Sequence, residues 1–324
     1  MPQIRPLDPA TYRRHLIHGE NRTWAETNCY SDVIIELLHG LGFEPLAAMA
    51  FTLSIDFDVD QWTFFKFEHE DIATLYGLGI HELAPWRSLA LHVEEQVAAG
   101  RPVLVELDSF YLPDTVGTAY KLAHVKSTVA VNEIDLAGQR LGYFHNQGYH
   151  VLTGQDFSDI FQTEGLVHPR MLPPYIEFVK ALPRQAPLRG PALVEASLHS
   201  LRRCLRARPA ANPFPLFAAR FQADMPWLLA SNLEVFHGYS FATLRQYGAC
   251  FELAATYLRW LGGQGVPDLE QSAACFDQIS QSTKQLQFQL ARSMMRRRPL
   301  DIGGLAEPAA LWERGMGDLL QKYG

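Results

Sequence analysis

The chain has 324 residues, of which 48% are hydrophobic and 19% charged, and its formal net charge is −7. This composition is typical of a folded protein with a sizeable core, and the length indicates two domains. The acidic balance argues against a general nucleic-acid binder. Because the sequence has neither an apolar run long enough to span a bilayer nor an apolar signal region, we expect a cytoplasmic protein without membrane partners.

The predicted elements change in character along the chain. Residues 29–42 have helical apolar spacing and close on Gly42, and residues 44–72 read as strands or short mixed elements. A helix that begins at residue 89 and is stopped by Gly100 and Pro102, and a buried strand from 102, follow. Residues 124–152 then read as a β-hairpin, with strands rich in Val, Thr, Tyr and Phe around a turn that contains Gly138.

Residues 181–192 form a Pro/Gly/Arg-containing linker, and almost everything beyond them reads as helix. The sequence therefore predicts an α+β domain over residues 1–180 with a central antiparallel sheet, followed by a helical domain over 181–324.

The four cysteines are Cys29, Cys204, Cys250 and Cys275, and they form no CxxC pair or short, dense spacing. This argues against a structural zinc site and a disulfide framework, so we expect free thiols and no bound metal. Cys29 differs from the others because it stands at the start of a predicted helix. The free N–H groups and the dipole of a helix N-terminus favour a thiolate, which is the nucleophilic form of cysteine.

A nucleophilic cysteine needs an imidazole to accept its proton and a polar group to orient that imidazole. His124 opens a predicted strand, and Asn146 lies at the far end of the hairpin, where its amide oxygen could accept from the His124 ring. The alternative for Cys29 and His124 is a purely structural role, in the core and at a strand start respectively. A shift of one or two residues in the strand register would change the positions of Asn146 and the neighbouring His145.

Supporting groups near the cysteine are also candidates for substrate binding. The backbone N–H of Cys29 and the side chain of Asn28 or Thr27 could stabilise an oxyanion. Glu26 is either a helix-entry carboxylate or a ligand for a substrate amine. Asp108 either holds a charged substrate amine or caps a turn.

Two clusters of arginine stand out in an acidic chain. Each is either a solvated helix face or a dock for an acidic partner. Their members are Arg202, Arg203 and Arg206 in one cluster and Arg296 and Arg297 in the other.

The order of a cysteine on the first helix, then histidine and amide on later strands, resembles the papain-like cysteine hydrolase and transferase fold. The stretches "RTWAETNCYSDVIIELLHGLGFEP", "VLVELDSFYLPDT" and "LGYFHNQGYHVLTGQDF" resemble the bacterial domain-of-unknown-function family 1839, which is similar in layout to the butirosin-type acyl-carrier-protein-dependent acyltransferase. The sequence around the cysteine, "TNCYSD", departs from the papain pattern and disfavours a peptidase of the papain family itself.

The resemblance implies a cysteine-dependent acyltransferase. It would move an aminoacyl group from the thioester of an acidic carrier protein to a small-molecule amine or hydroxyl, through an acyl-cysteine at a Cys-His-Asn or Cys-His-Asp site. The phosphopantetheine arm would belong to the carrier protein, and no cofactor would be tightly bound. Two alternatives stay open: a hydrolase (amidase, peptidase or thioesterase) and a non-catalytic protein that binds a carrier protein or another ligand.

Overall fold

The computed structural model describes residues 2–25, 27–162, 174–298, 300 and 303–324. The chain forms two compact units that interleave along the sequence. The first contains Met1–Gly19, Asn28–Pro45 and Ile72–Pro187, and the second contains Glu20–Thr27, Leu46–Asp71 and Leu188–Gly324. In this division, two segments from before residue 180 belong with the helical unit.

The described residues form eight strands and ten α-helices. The strands are β1 (Phe57–Asp58), β2 (Gln61–Trp62), β3 (Leu78–Glu82), β4 (Val103–Asp108), β5 (Lys126–Asp135), β6 (Arg140–His145), β7 (Gly148–Thr153) and β8 (Ile176–Ala181). The helices are α1 (Cys29–Gly40), α2 (His69–Tyr76), α3 (Leu89–Ala98), α4 (Gln155–Phe161), α5 (Gly190–Ala207), α6 (Phe214–Ala230), α7 (Leu233–Ser240), α8 (Gln246–Gly263), α9 (Glu270–Arg296) and α10 (Ala306–Tyr323).

Short helical turns connect several of these elements. Those of the 3₁₀ type cover Leu16–His18, Pro45–Ser54, Ser109–Tyr111, Pro113–Thr115 and Gly303–Leu305, and a π-helical turn covers Phe241–Arg245. The prediction of an α+β protein with an antiparallel sheet and a helical C-terminal region is confirmed. No helix in the described part of the chain is long and apolar enough to cross a membrane.

The sheet of the first unit has the strand order β3-β8-β4-β5-β6-β7, and every neighbouring pair is antiparallel. The predicted hairpin is present as β5 and β6, and β7 extends it. Its turn is fixed by the Asp135 carboxylate, which accepts a hydrogen bond of 3.0 Å from the backbone N–H of Gly138.

The two faces of this sheet have different roles, because side chains alternate along each strand. One face buries Val105, Val129 and Tyr143 with apolar residues of α3 and α4. The other face packs on α1, where the Phe144 ring lies so close to Gly40 that a Cβ at that glycine would stand 2.6 Å from it. The candidate site lies on the α1 face.

The second unit is built on aromatic side chains, and these explain why the earlier segments join it. The ring of Trp62 lies 5.3 to 5.5 Å from those of Phe214 and Phe217 and 4.7 Å from that of Tyr247. Trp24 donates a 3.0 Å hydrogen bond from its indole N–H to Ser280. These partners are more than 150 residues away along the chain, so local periodicity gives no sign of them.

Candidate active site

Cys29 is the first residue of α1, as the sequence predicts. The helix begins there because Asn28 has extended backbone angles and its side-chain oxygen accepts a 2.8 Å hydrogen bond from the backbone N–H of Ser31. Cys29 is half-buried and free, and its Sγ donates to Oγ1 of Thr128 on β5 over 3.8 Å. The thiol therefore lies between a helix N-terminus and the sheet.

His124 is paired with Asp108. The Nδ1 atom of the His124 ring lies 2.6 Å from Oδ2 of Asp108, and the ring stacks on Phe110 at 4.3 Å between centroids. A carboxylate at Nδ1 favours the tautomer with the proton on that nitrogen, so Nε2 is left to accept a proton. The His124 side chain is 66% exposed, which gives Nε2 access to a substrate.

The strand register relates this pair to Cys29. Glu106 on β4 lies opposite Thr128, and Asp108 lies opposite Lys126. Glu106 is therefore opposite the residue that Cys29 contacts, and Asp108 lies two residues further along β4. Both side chains are on the same face of the sheet, and two residues of a strand span ~7 Å. Among the described residues, no hydrogen bond joins Cys29 to His124.

Asn146 does not orient His124. It stands in the turn between β6 and β7 with a positive φ of 48°. The pairing of Phe144 with Ala130 brings this end of the hairpin close to Thr128, which is four residues along the chain from His124. The difference arises because the carboxylate of Asp108, at the end of β4, contacts the Nδ1 atom of His124. Asp108 thus takes the place predicted for Asn146.

Asp108 also caps a turn, because its Oδ1 accepts a 3.0 Å hydrogen bond from the backbone N–H of Phe110. Both carboxylate oxygens therefore have partners within the protein. Of the two roles that the sequence left open for this residue, the structure contains the turn cap and gives the other oxygen to His124 rather than to a free site for a substrate amine.

Other carboxylates occupy the same face beside Cys29. Glu177 on β8 is 3% exposed and accepts hydrogen bonds from the hydroxyls of Tyr30 (3.1 Å) and Tyr175 (2.9 Å). Glu106 lies 2.6 Å from the ammonium of Lys126. Burial, together with the hydrogen bond to Glu177, raises the pKa of Tyr175 to about 12, so this hydroxyl remains a donor at neutral pH. Two carboxylates therefore lie on this face, one paired with a lysine and the other hydrogen-bonded to two tyrosines.

A buried ionic cluster fixes the position of α1. The ring of His18 lies 2.5 Å from Oε1 of Glu36 and 3.2 Å from Oδ1 of Asp32, both on α1. Burial alone would lower the pKa of His18, but hydrogen bonds and charge from the two carboxylates raise it. The hydroxyl of Tyr12 adds a 2.5 Å hydrogen bond to Glu36. An imidazolium between two carboxylates thus anchors the helix that starts at Cys29.

Comparison with protein families covers both units. Residues 13–181 match the DUF1839 N-terminal domain, and residues 190–321 match the DUF1839 C-terminal domain. The chain belongs to the DUF1839 family. A comparison with curated proteins finds no match.

The remaining predicted residues of this DUF1839 chain have mixed outcomes. The side-chain oxygen of Asn28 is used by the helix cap. Thr27 is buried, and its backbone oxygen accepts a 3.1 Å hydrogen bond from Arg245. Glu26 lies outside the described residues.

The two arginine clusters are divided between exposed and structural positions. Arg203 pairs with Asp71 at 2.7 Å, and Arg297 ends α9 with its guanidinium on the backbone oxygen of Ser231 at 2.6 Å. Arg202, Arg206 and Arg296 are exposed. Arg203 and Arg297 therefore have partners within the protein. A docking role for an acidic partner would fall to the three exposed arginines.

Alkylation should separate Cys29 from the other cysteines. Cys204, Cys250 and Cys275 are buried, and burial raises the pKa of all three, to about 12 for Cys204. Because the thiolate is the reactive form, we expect iodoacetamide at neutral pH to modify Cys29 at least ~10-fold faster than the other three. Peptide mass spectrometry over a time course measures this. Equal, slow modification of all four would argue against a reactive Cys29.

Several residues around the site were missed by the sequence analysis. Thr128 contacts the thiol, and Glu177 accepts a hydrogen bond from Tyr30, the residue after Cys29. None of these residues belongs to a recognisable motif. The alternation within "KSTVAV" could have indicated Thr128, since it shares a face with Ala130, but only after the strand register was known.

Proposed function

We propose that this protein is a cysteine-dependent acyltransferase with a papain-like arrangement. Cys29 would accept an aminoacyl group from a carrier-protein thioester and pass it to an amine or hydroxyl. The observation that carries the proposal is a half-buried thiol at the first residue of α1, on the same sheet face as the His124–Asp108 pair. The resemblance noted above supports the choice of a thioester donor.

The reaction has two steps. The Cys29 thiol gives up its proton to solvent and its thiolate attacks the thioester carbonyl. The bond from that carbon to the pantetheine sulfur breaks, and pantetheine leaves as a thiolate that takes up a proton from solvent. The acceptor amine then attacks the acyl-cysteine, gives a proton to Nε2 of His124, and releases Cys29. Backbone N–H groups in the first turn of α1 would stabilise the oxyanion in both steps.

The contact made by the thiol favours a thioester over an amide as the substrate. Hydrolysis of an amide needs an imidazole on the nucleophile, because the leaving amine must be protonated as its bond breaks. A thiol with a pKa of ~8.5 leaves as its own anion. In this structure Sγ of Cys29 bonds to Thr128 and not to an imidazole, so a substrate that requires no proton for its leaving group fits best.

The carboxylates near Cys29 support an aminoacyl rather than a simple acyl group. Glu177 and Glu106 lie on the face that the thiol contacts. Glu106 is paired with Lys126, so Glu177 is the carboxylate that would attract an α-ammonium group. Uncharged acyl groups would gain nothing from these side chains.

The test is direct detection of the acyl-enzyme. The wild-type protein, Cys29→Ala and, as the matched control, Cys275→Ala are incubated with a panel of aminoacyl pantetheine thioesters and examined by intact mass spectrometry. We expect one acyl adduct on the wild type and on Cys275→Ala, located at Cys29, and none on Cys29→Ala. Transfer to an amine at the wild-type rate in Cys29→Ala would refute the mechanism.

A second candidate is binding without catalysis, and one observation favours it: the sulfur bonds to a threonine hydroxyl and not to a base. In that case the pantetheine thioesters would bind with a measurable heat in titration calorimetry, and the bound thioester would stay intact. Formation of the acyl-enzyme decides between the two candidates.

A further inference from the structure

A second nucleophile lies on the other face of β5. Oγ of Ser127 is 2.7 Å from Nε2 of His145, and Nδ1 of the same ring is 2.6 Å from Oδ2 of Asp114. Ser127 is the second residue of β5, His145 the last of β6, and Asp114 lies in the turn Pro113–Thr115. Three separate elements thus bring a hydroxyl, an imidazole and a carboxylate into one hydrogen-bonded network.

The contacts in this network indicate the ionisation of Asp114 and the tautomer of His145. Burial alone would raise the pKa of Asp114, but the hydrogen bond from His145 holds it below its usual value, so the carboxylate is ionised at neutral pH. The hydroxyl of Tyr143 donates a second hydrogen bond to this carboxylate over 2.5 Å. With Asp114 accepting from Nδ1, Nε2 is free to accept the Ser127 proton, which is the order of contacts in a Ser-His-Asp triad.

The network lies at an end of the sheet, and its three side chains are largely buried. Ser127 is 7% exposed and directly follows the exposed Lys126. His150, whose Nε2 is 4.0 Å from Asp114, has a side chain that is 34% exposed. The segment that leads into β5 carries exposed apolar side chains at Val116, Leu122 and Val125. Val125 stands two residues before Ser127, so a small acyl group that reaches the serine would lie near an exposed apolar side chain.

We propose that Ser127 is a second acyl-accepting nucleophile, activated by His145 and Asp114, for small apolar acyl esters or thioesters. The Ser127 oxygen bonds to the acyl carbon while its proton passes to Nε2 of His145. The bond to the leaving alcohol or thiol then breaks, and the leaving group takes that proton. Water subsequently releases the acid by the same route. This site does not depend on Cys29 or on the function proposed above.

A fluorophosphonate probe tests the proposal, because it phosphonylates serines activated in this way. We expect the wild-type protein to be labelled at Ser127, identified by peptide mass spectrometry, and Ser127→Ala to lose that label. Asp114→Asn disturbs the imidazole tautomer and should slow labelling by at least ~100-fold. Ser109→Ala is the matched control, since Ser109 is a similarly buried serine at the same end of the sheet, and it should be labelled like the wild type.

The outcomes separate this site from the cysteine site. Cys29→Ala should keep the fluorophosphonate label, and Ser127→Ala should keep rapid alkylation of Cys29, so either site can fail alone. Folded wild-type protein that stays unlabelled would overturn the proposal, as would labelling of folded Asp114→Asn at the wild-type rate. Circular dichroism melting of each variant establishes that it is folded.

Discussion

Replacing His124 by alanine is expected to slow transfer from Cys29 to an amine by about 10²- to 10⁴-fold, the usual contribution of a positioned general base. The thioester step should change little, because its leaving thiol needs no proton donor and Sγ does not contact His124. The acyl-enzyme would therefore accumulate. Single-turnover experiments that follow acylation and its release separately by mass spectrometry measure both effects.

The variant Asp108→Asn refines this prediction. An amide at this position can still contact Nδ1, but its charge is lost, and an amide nitrogen facing the ring would favour the other tautomer. Release should be slowed less than by His124→Ala, with acylation again unchanged. His81→Ala, which removes an exposed histidine on β3, is the matched control and should release the acyl group at the wild-type rate. Normal release from folded His124→Ala would remove this histidine from the mechanism.

The hairpin, the strand from 102 and the thiol could be predicted from the sequence, whereas β3, β8 and the partners of the thiol could not. Alternating Val, Thr and Tyr gave the hairpin, and an apolar helical stripe after Cys29 gave α1. A shift of one residue, however, exchanges the two faces of a strand. That shift separates Asn146, in the turn, from His145, which points to the opposite face and bonds to Ser127. The carboxylate that contacts His124 belongs to Asp108 on β4, and local pattern does not show which strand end lies beside this histidine, so Asn146 was predicted in its place.

The interleaving of the two units was also beyond local pattern. Residues 46–71 carry an aromatic stretch that would suit either a sheet or a helical core. The ring contacts of Trp62 with Phe214 and Tyr247 place this stretch in the helical unit. Such contacts depend on the tertiary arrangement of distant segments. The linker near residue 181 could be predicted because Pro and Gly interrupt the hydrophobic periodicity there.

The largest effect on stability is expected at His18. Changing His18 to glutamine removes the cation between Asp32 and Glu36 and leaves two fully buried carboxylates without it. Removing one partner of a buried ionic cluster costs about 3–5 kcal/mol. We expect this loss in the free energy of unfolding, measured by urea titration of the first unit's transition. His81→Gln, an exposed histidine of the same unit, should change it by less than about 0.5 kcal/mol.

The pH dependence of this loss distinguishes a charge effect from simple packing. The folded-state pKa of His18 lies above its ordinary value, so its contribution is complete below ~6.5 and is lost as pH rises through the folded pKa. The difference in unfolding free energy between wild type and His18→Gln should therefore be largest near pH 6 and shrink toward pH 10. A difference that is constant or grows with pH would mean that His18 acts through its shape alone. Because Asp32 and Glu36 belong to the helix that begins at Cys29, a loosened cluster should also slow acylation of that thiol while leaving release by His124 unchanged.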